Sequence, residues 1–483
     1  MRELGKKVRK DLGIYLTSIL IPMSVGILSM AIYTRMLSTS QFGSYGIYST
    51  TYMVLGLFLF DWLGQGIMRF FPEYDHKGEL RLLGSAIAGF VLALAVLLIM
   101  AAGILSLVRR EASLLIGALF ILSSGLVLTT TSVLKAKLRS DLYLKMTSSV
   151  TVAQFALSVA LLWFFRSFWM LFVARIIVNT LIVALFATRP SVRLEIGTDK
   201  ALPAMADGLR AMFMYGLPII LTGLGSKGLQ ISDRYFVDFF LGKEQTGIYI
   251  ANYMICDTIG TVMFSPIMMA THNTVINLFA KGQVDQVKVL LLDIKKTILI
   301  LTLPICSYLV IFHRESSLVF VSPSFAVGSA ILPFVTLGII ILNYAMYNLK
   351  IFEFHLRSIE ITKRMLVSFL FNIGLNFFAI RRFGIMGAAL STLLAYALLG
   401  VLSWAANRRK RFVGRISLSF LALVAGLNLA CLAGWWLEKR LFAAQGYGYA
   451  ANLGLVLATA LPIYAGYLLV NLKVTRTLKW FGS

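Results

Sequence analysis

The chain alternates between long apolar runs and short polar breaks. Fourteen apolar segments stand out: 13–34, 45–70, 82–108, 112–134, 147–165, 168–188, 212–232, 247–270, 291–312, 327–348, 365–380, 385–406, 416–437 and 450–472. Most reach the roughly 17–25 residues that a helix needs to cross a bilayer. They are continuous, whereas barrel strands would alternate apolar and polar positions over about 10 residues. The pattern therefore predicts an all-α integral membrane protein with about fourteen transmembrane helices. The shortest run, 365–380, is interrupted by Asn372 and Asn376. The longest break is 189–211, with Pro190, Gly197, Pro203 and mixed charges. No break is long enough to fold into an extramembrane catalytic or nucleotide-binding domain.

Composition agrees with this pattern. Of 483 residues, 59% are hydrophobic and 14% charged, against about 45–50% and about 25% in an ordinary soluble domain. A formal net charge of +24, from 45 Lys and Arg against 21 Asp and Glu, would fit a nucleic-acid binder. So apolar a chain excludes a soluble one, and no nucleic-acid partner is expected. The charge has another explanation. With fourteen spans and both termini inside, thirty-one basic residues fall in inner segments (Lys295 and Lys296, at the start of run 291–312, counted with them), eleven in outer loops and the other three (Arg69, Arg175 and Lys227) inside spans. This is the positive-inside bias, and it holds loop after loop. The chain is expected in the cytoplasmic (inner) membrane, with N- and C-termini cytoplasmic and anionic lipids as contacts. The basic N-terminal stretch could open a signal peptide, but the run after it is too long and no A-x-A site follows, so an uncleaved first span is the better reading. The three cysteines (Cys256, Cys306, Cys431) lie in apolar runs and read as small core residues. No nucleotide, metal or other cofactor motif is present.

The long inner break divides the chain into an N-lobe (1–190, spans 1–6), an inter-lobe loop (191–211), a C-lobe (212–406, spans 7–12) and an added pair with its tail (407–483). One internal echo supports related halves: Arg35 followed by Gly46-Ile47-Tyr48, and Arg234 followed by Gly247-Ile248-Tyr249. Both lie in an outer loop entering the second span of a half. Parallel repeats of this kind place a substrate path between the halves.

Three short motifs carry a family resemblance. Arg35, Leu37, Gly43 and Tyr45 at the end of the first span resemble the opening of bacterial polysaccharide exporters. Ser232-Asp233-Arg234-Tyr235 with Gly247-Ile248-Tyr249 is similar to their seventh-span signature. The run from Gly384 and Gly387 to Tyr396 resembles the start of their twelfth span. Over about residues 10–410 the chain looks like the polysaccharide-transporter (Wzx-type flippase) branch of the MOP superfamily, which also holds MATE exporters and lipid II flippases. The resemblance implies a two-lobed, V-shaped bundle with a central cavity and alternating access. It also implies an undecaprenyl-diphosphate-linked oligosaccharide as substrate, for export of O-antigen, capsule or exopolysaccharide, with polysaccharide polymerase and export machinery as further partners.

Ionisable groups inside spans cost about 2.5–3.5 kcal/mol each on insertion scales and mark candidate sites. Asp61, Gln65 and Arg69 share one face of span 2, lining a cavity or forming an Asp–Arg packing contact. Lys227, Gln230 and Arg234 share one face of span 7. Lys227 has no local counter-ion and requires a carboxylate on another helix, water or an anionic substrate, while Arg234 follows Asp233 at the span end, where a surface pair is an equal alternative. Arg175 precedes Asn179 by one turn, as cavity cation or inter-helix anchor. Asp257 in span 8, which also holds Asn252, reads as a partner for Lys227 or as a coupling group. Trp163, Trp169, Trp404, Trp435, Trp436 and Trp480 read as interfacial belts. Embedded cations suit a diphosphate head, while the lipid tail stays in the bilayer.

A lipid-linked oligosaccharide flippase is thus expected. A MATE-like cation-coupled antiporter is the alternative on the same fold, disfavoured because span 1 carries no carboxylate from Ile14 to Thr34. An O-antigen polymerase or ligase would display a large outer catalytic loop, and a transporter rather than an enzyme is expected. Single cysteines test the orientation. One at 243 is expected to react with an impermeant reagent on intact cells and one at 139 only after permeabilisation; outside labelling at 139 would overturn the arrangement.

Overall fold

The structure, a computed structural model, describes residues 21–111, 113–189, 192, 197, 202–355, 357–410, 416–443 and 466. The basic N-terminal residues, most of 189–201, Trp480 and all of span 14 except residue 466 lie outside the described residues. The described chain is helical and contains no strand. Nine helical stretches among the described residues are long and apolar enough to cross a membrane. The chain divides into two compact units, Met1–Leu224 and Gly225–Ser483.

In the first unit, α1 (21–36) runs into α2 (Thr39–Gly56), which Ser38 caps by accepting from the Gln41 N–H at 3.2 Å. A π-helical turn, Leu57–Asp61, joins α2 to α3 (Trp62–His76). Such single wide turns interrupt the regular ladder and often lie at functional sites; this one ends on Asp61. Then follow α4 (Leu80–Arg109), α5 (Ser113–Ala136), α6 (Ser140–Phe165) and α7 (Trp169–Ala187). Van der Waals packing must hold these helices together, because lipid is as apolar as their side chains. Glycines permit the close approach: a Cβ on Gly125 would meet the Phe60 ring at 2.5 Å. Tyr45, Tyr52 and Phe120 converge on Phe172, with ring centroids 5.4, 5.3 and 5.2 Å from it.

The next helix, α8 (Leu202–Ala280), begins inside the segment that the sequence assigns to the inter-lobe loop. Its first turns pack on α3: Trp62 meets Phe213 edge to face at 5.3 Å, and a Cβ on Gly216 would overlap Trp62. Met212, Ile220, Leu63 and Ile67 complete this core.

In the second unit α8 breaks at Gly242 (φ 81°, ψ 177°), between the runs 212–232 and 247–270. After α9 (Val284–Phe320), α10 (Pro323–Ala326) and α11 (Leu332–Phe354), α12 (Ser358–Lys410) breaks at Gly384 (φ 59°), between the runs 365–380 and 385–406. Positive φ at these breaks is readily adopted only by glycine. The hairpin at Gly384 is so tight that a Cβ on Gly387 would overlap the Ala379 carbonyl oxygen. Asn372 and Asn376, which make run 365–380 the least apolar, are fully buried: Asn372 Oδ1 accepts from Ser232 Oγ and from Asn376 Nδ2, both at 2.9 Å.

Helix α13 (Leu418–Ala443), from the added pair, clasps α9. Phe420, Val424, Cys431 and Trp435 pack against Ile300, Ile311 and Phe312. Asn428 Oδ1 accepts from Ser307 at 3.4 Å. At Phe312, where α9 leaves helical geometry (φ −111°, ψ 27°), Lys439 donates to the Ile311 carbonyl and pairs with Glu315 at 3.3 Å. Trp435 is therefore no belt residue: it is 1% exposed, whereas Trp436 beside it is 49% exposed. Truncating a buried aromatic costs about 3–5 kcal/mol. Trp435→Ala is expected to lower the Tm of the purified protein in detergent markedly and Trp436→Ala to change it little. Equal Tm values for the two variants would contradict the clasp.

Candidate functional site

In the first unit, Asp61 is half-buried at the end of the π turn. The cation whose field acts on it is Lys135 of α5, not Arg69. Arg69 is exposed; it lies 4.0 Å from Glu73 and its guanidinium stands 5.4 Å from the Phe70 ring. Glu73 also accepts from Lys77 at 2.9 Å, and that hydrogen bond holds its carboxyl below the usual range. Gln65 lies between them, half-buried. The shared helical face thus carries two separate charges, and no Asp61–Arg69 ion pair forms among the described residues.

Arg175 of α7 is half-buried over the rings of Tyr45 (5.8 Å) and Phe120 (6.0 Å). No carboxylate pairs with it among the described residues. The ring faces stabilise the guanidinium without neutralising it. The anchoring role falls instead to Asn179, one turn on. It is buried, accepts from Gln154 Nε2 at 2.7 Å and donates to Ser123 Oγ at 3.5 Å.

In the second unit, Lys227 is exposed and makes no ion pair among the described residues. Asp257 is exposed as well, and no Asp257–Lys227 bridge is found there. One turn beyond Lys227, Gln230 lines a cavity of about 250 Å³ together with Asp257, Tyr253 and Tyr396. Arg234 is half-buried, 5.7 Å from the Tyr253 ring.

Among the described residues the most enclosed carboxylate is Asp233, which the sequence marks only as the neighbour of Arg234. Asp233 is 0% exposed. It accepts from the Tyr249 hydroxyl, from Thr392 Oγ1 at 3.2 Å and from the Arg234 backbone N–H at 2.8 Å. Nearby, the Tyr253 and Tyr396 hydroxyls stand 3.4 Å apart. The Ser232–Tyr235 motif, the Gly247-Ile248-Tyr249 triplet and the run from Gly384 to Tyr396 therefore meet around one carboxylate. Their joint occurrence was the available signal. Two further cations were counted with the inner segments but are buried. Lys295 donates to Asn348 Oδ1 at 2.8 Å and lies 4.5 Å from the Tyr344 ring. Lys350 contacts Glu353 at 2.6 Å and His272 at 2.9 Å. Neighbouring apolar positions, such as Leu291, Ile294 and Ile298, place Lys295 on an inward face. Among the described residues no group of His, Cys, Asp and Glu is placed to hold a metal ion.

The profile of the family described as "Polysaccharide biosynthesis protein" matches residues 8–272. No curated protein sequence matches the chain. Among solved structures, lipid II flippase MurJ in an inward closed conformation aligns at TM-score 0.72 and 14% identity, over 96% of this chain and 99% of that one. An inward-facing multidrug resistance MATE family transporter of the MOP superfamily aligns at TM-score 0.62 and 13% identity, over 82% and 97%. A MATE transporter from Vibrio cholerae aligns at TM-score 0.56 and 13% identity, over 85% and 97%. At such identities the likeness establishes the fold, and the neighbours that share it are transporters and flippases. The profile spans more than half of the sequence and includes two of the three motifs: the chain belongs to the polysaccharide biosynthesis protein family.

Proposed function

We propose that this protein moves a lipid-diphosphate-linked oligosaccharide from the inner to the outer leaflet of the cytoplasmic membrane by alternating access, for export of O-antigen, capsule or exopolysaccharide. Undecaprenyl diphosphate is the lipid carrier in this reading, and the polymerase and export machinery act on the delivered glycan. The chain spans the membrane fourteen times, with both termini cytoplasmic. Family membership is the observation that carries the proposal.

The charges give it a physical basis. Lys227 and Arg175 are embedded cations without a carboxylate partner among the described residues, while Lys295 and Lys350 are hydrogen-bonded within the fold. An anionic head can complete the electrostatics of either of the first two cations without creating a permanent salt bridge that would hold the substrate back. No bond is made or broken, so the protein has only to bind the head, shield it from hydrocarbon and release it. Asp61 and Gln65, half-buried on the α3 face, and Arg69 at its exposed end serve the same path. Gln230 and Arg234 extend it on α8, and Asp257 is read as the coupling group.

Deleting the gene is expected to accumulate the lipid-linked oligosaccharide and deplete surface glycan. Unchanged glycan with altered drug tolerance would instead indicate an antiporter. A hydrogen bond to a charged group contributes about 1.5–3 kcal/mol. Lys227→Ala and Arg175→Ala are each expected to reduce glycan export about tenfold or more at equal protein level, with Lys243→Ala, whose partner is the half-buried Asp238, near wild type. Normal export by the Lys227→Ala/Arg175→Ala double variant would remove both residues from the substrate path.

A further inference from the structure

The cavity of the second unit differs in chemistry from the cation sites. Asp257, Thr261 and Ser265 follow one another at four-residue spacing on one face of α8, and all three line it. Gln230 and Asn343 add two amides, from α8 and α11. Among the described residues no Lys, Arg or His lines it, so a diphosphate inside it would face the Asp257 carboxylate without a lining cation; the nearby Arg234 guanidinium stands 5.7 Å from the ring of Tyr253. Asp257, Gln230, Thr261 and Ser265 form no side-chain hydrogen bond or ion pair among the described residues. Asn343 gives its Nδ2 to the Ile339 carbonyl at 2.9 Å and keeps its Oδ1 free for a ligand. Polar groups placed at membrane depth without partners in the protein face water or a ligand. This set offers donors and acceptors together with a single negative charge, which matches a ligand rich in neutral hydroxyl groups.

Shape points the same way. Phe264, Ile339, Leu342 and Met346 supply apolar wall between the polar groups. A sugar ring has this duality, with hydroxyl groups around its rim and C–H faces above and below. The volume of about 250 Å³ is under the roughly 300–1,000 Å³ of sites for drug-sized ligands, which suits a single ring. The walls are closely packed. Gly260 lets α8 and α11 approach, since a Cβ there would meet Ile339 at 2.7 Å. The floor is the buried pair Tyr253 and Tyr396, packed beside the Asp233 network.

We infer that this cavity binds one uncharged sugar residue of the transported glycan, with the Asp257 carboxylate accepting hydrogen bonds from its hydroxyl groups. The inference rests on the lipid-linked glycan reading and divides the head between two chemistries: cations hold the phosphates and this cavity holds a sugar. Selectivity among glycans then resides here, because diphosphate is common to all of them.

The test uses full-length protein carrying Ser265→Cys, with Thr261→Cys as a second reporter. The native Cys256, Cys306 and Cys431 are buried. The rate of maleimide labelling is measured with and without methyl glycosides of a hexose, a 6-deoxyhexose, an N-acetylhexosamine and a hexuronate, and with inorganic diphosphate and tetraphenylphosphonium. At least one neutral glycoside is expected to slow labelling severalfold. Diphosphate and the hexuronate are expected to leave the rate unchanged, and Asp257→Asn in the same background to abolish the protection. The inference is overturned if no neutral glycoside protects either reporter, if diphosphate protects as well, or if tetraphenylphosphonium protects where the glycosides do not. Protection that survives Asp257→Asn overturns the role of the carboxylate. Accumulation of lipid-linked glycan on gene deletion tests the flippase reading separately, so the failure of one is distinguishable from that of the other.

Discussion

Hydrocarbon offers a polar group no partner, so each hydrogen-bonding group at membrane depth must be matched within the protein, by water or by a ligand. Much of this structure follows from that constraint. Asp233 is matched by Tyr249, Thr392 and the Arg234 N–H. Asn252 donates to the carbonyls of Ile248 and Phe325 and accepts from Ser317. Asn372 binds Ser232 across helices, and Asn179 links three helices through Gln154 and Ser123. These contacts select helix neighbours where apolar surfaces alone would be interchangeable, since hydrophobic burial distinguishes little between a lipid tail and a leucine.

The same constraint separates the charges into two groups. Those satisfied internally, such as Asp233, Lys295 and Lys350, contribute to the architecture. Those with no counter-charge among the described residues, Lys227, Arg175 and Asp257, are costly to keep at membrane depth unless an outside group completes them. A transporter has reason to retain such groups, because a permanent internal partner would compete with the substrate. The positions proposed for the substrate path are those that remain when the internal network is subtracted from the set of embedded polar residues.

Glycine and aromatic residues complete the architecture. Gly242 and Gly384 reverse or redirect the chain where a side chain would be strained. Gly125, Gly216 and Gly387 let rings or backbones approach to contact. The added helix α13 joins the second unit through an apolar contact with α9, and Lys439 meets the backbone where α9 is broken.

The sequence by itself determined the class and most of the helix positions. Apolar length is a local property, and a bilayer-spanning helix satisfies its own backbone whatever surrounds it. It also singled out the motifs around Ser232, Gly247 and Gly384, and the embedded charges at 61, 175, 227 and 257. Only the tertiary structure decided their partners, because pairing joins residues far apart in the chain. It assigned Asp61 to the field of Lys135, made Asp233 rather than Arg234 the hub of its motif, turned Trp435 inward and converted Lys295 from an inner-segment charge into a buried donor. Helical spacing places residues on a common face, but which helix packs against that face is settled by the fit of side chains between helices.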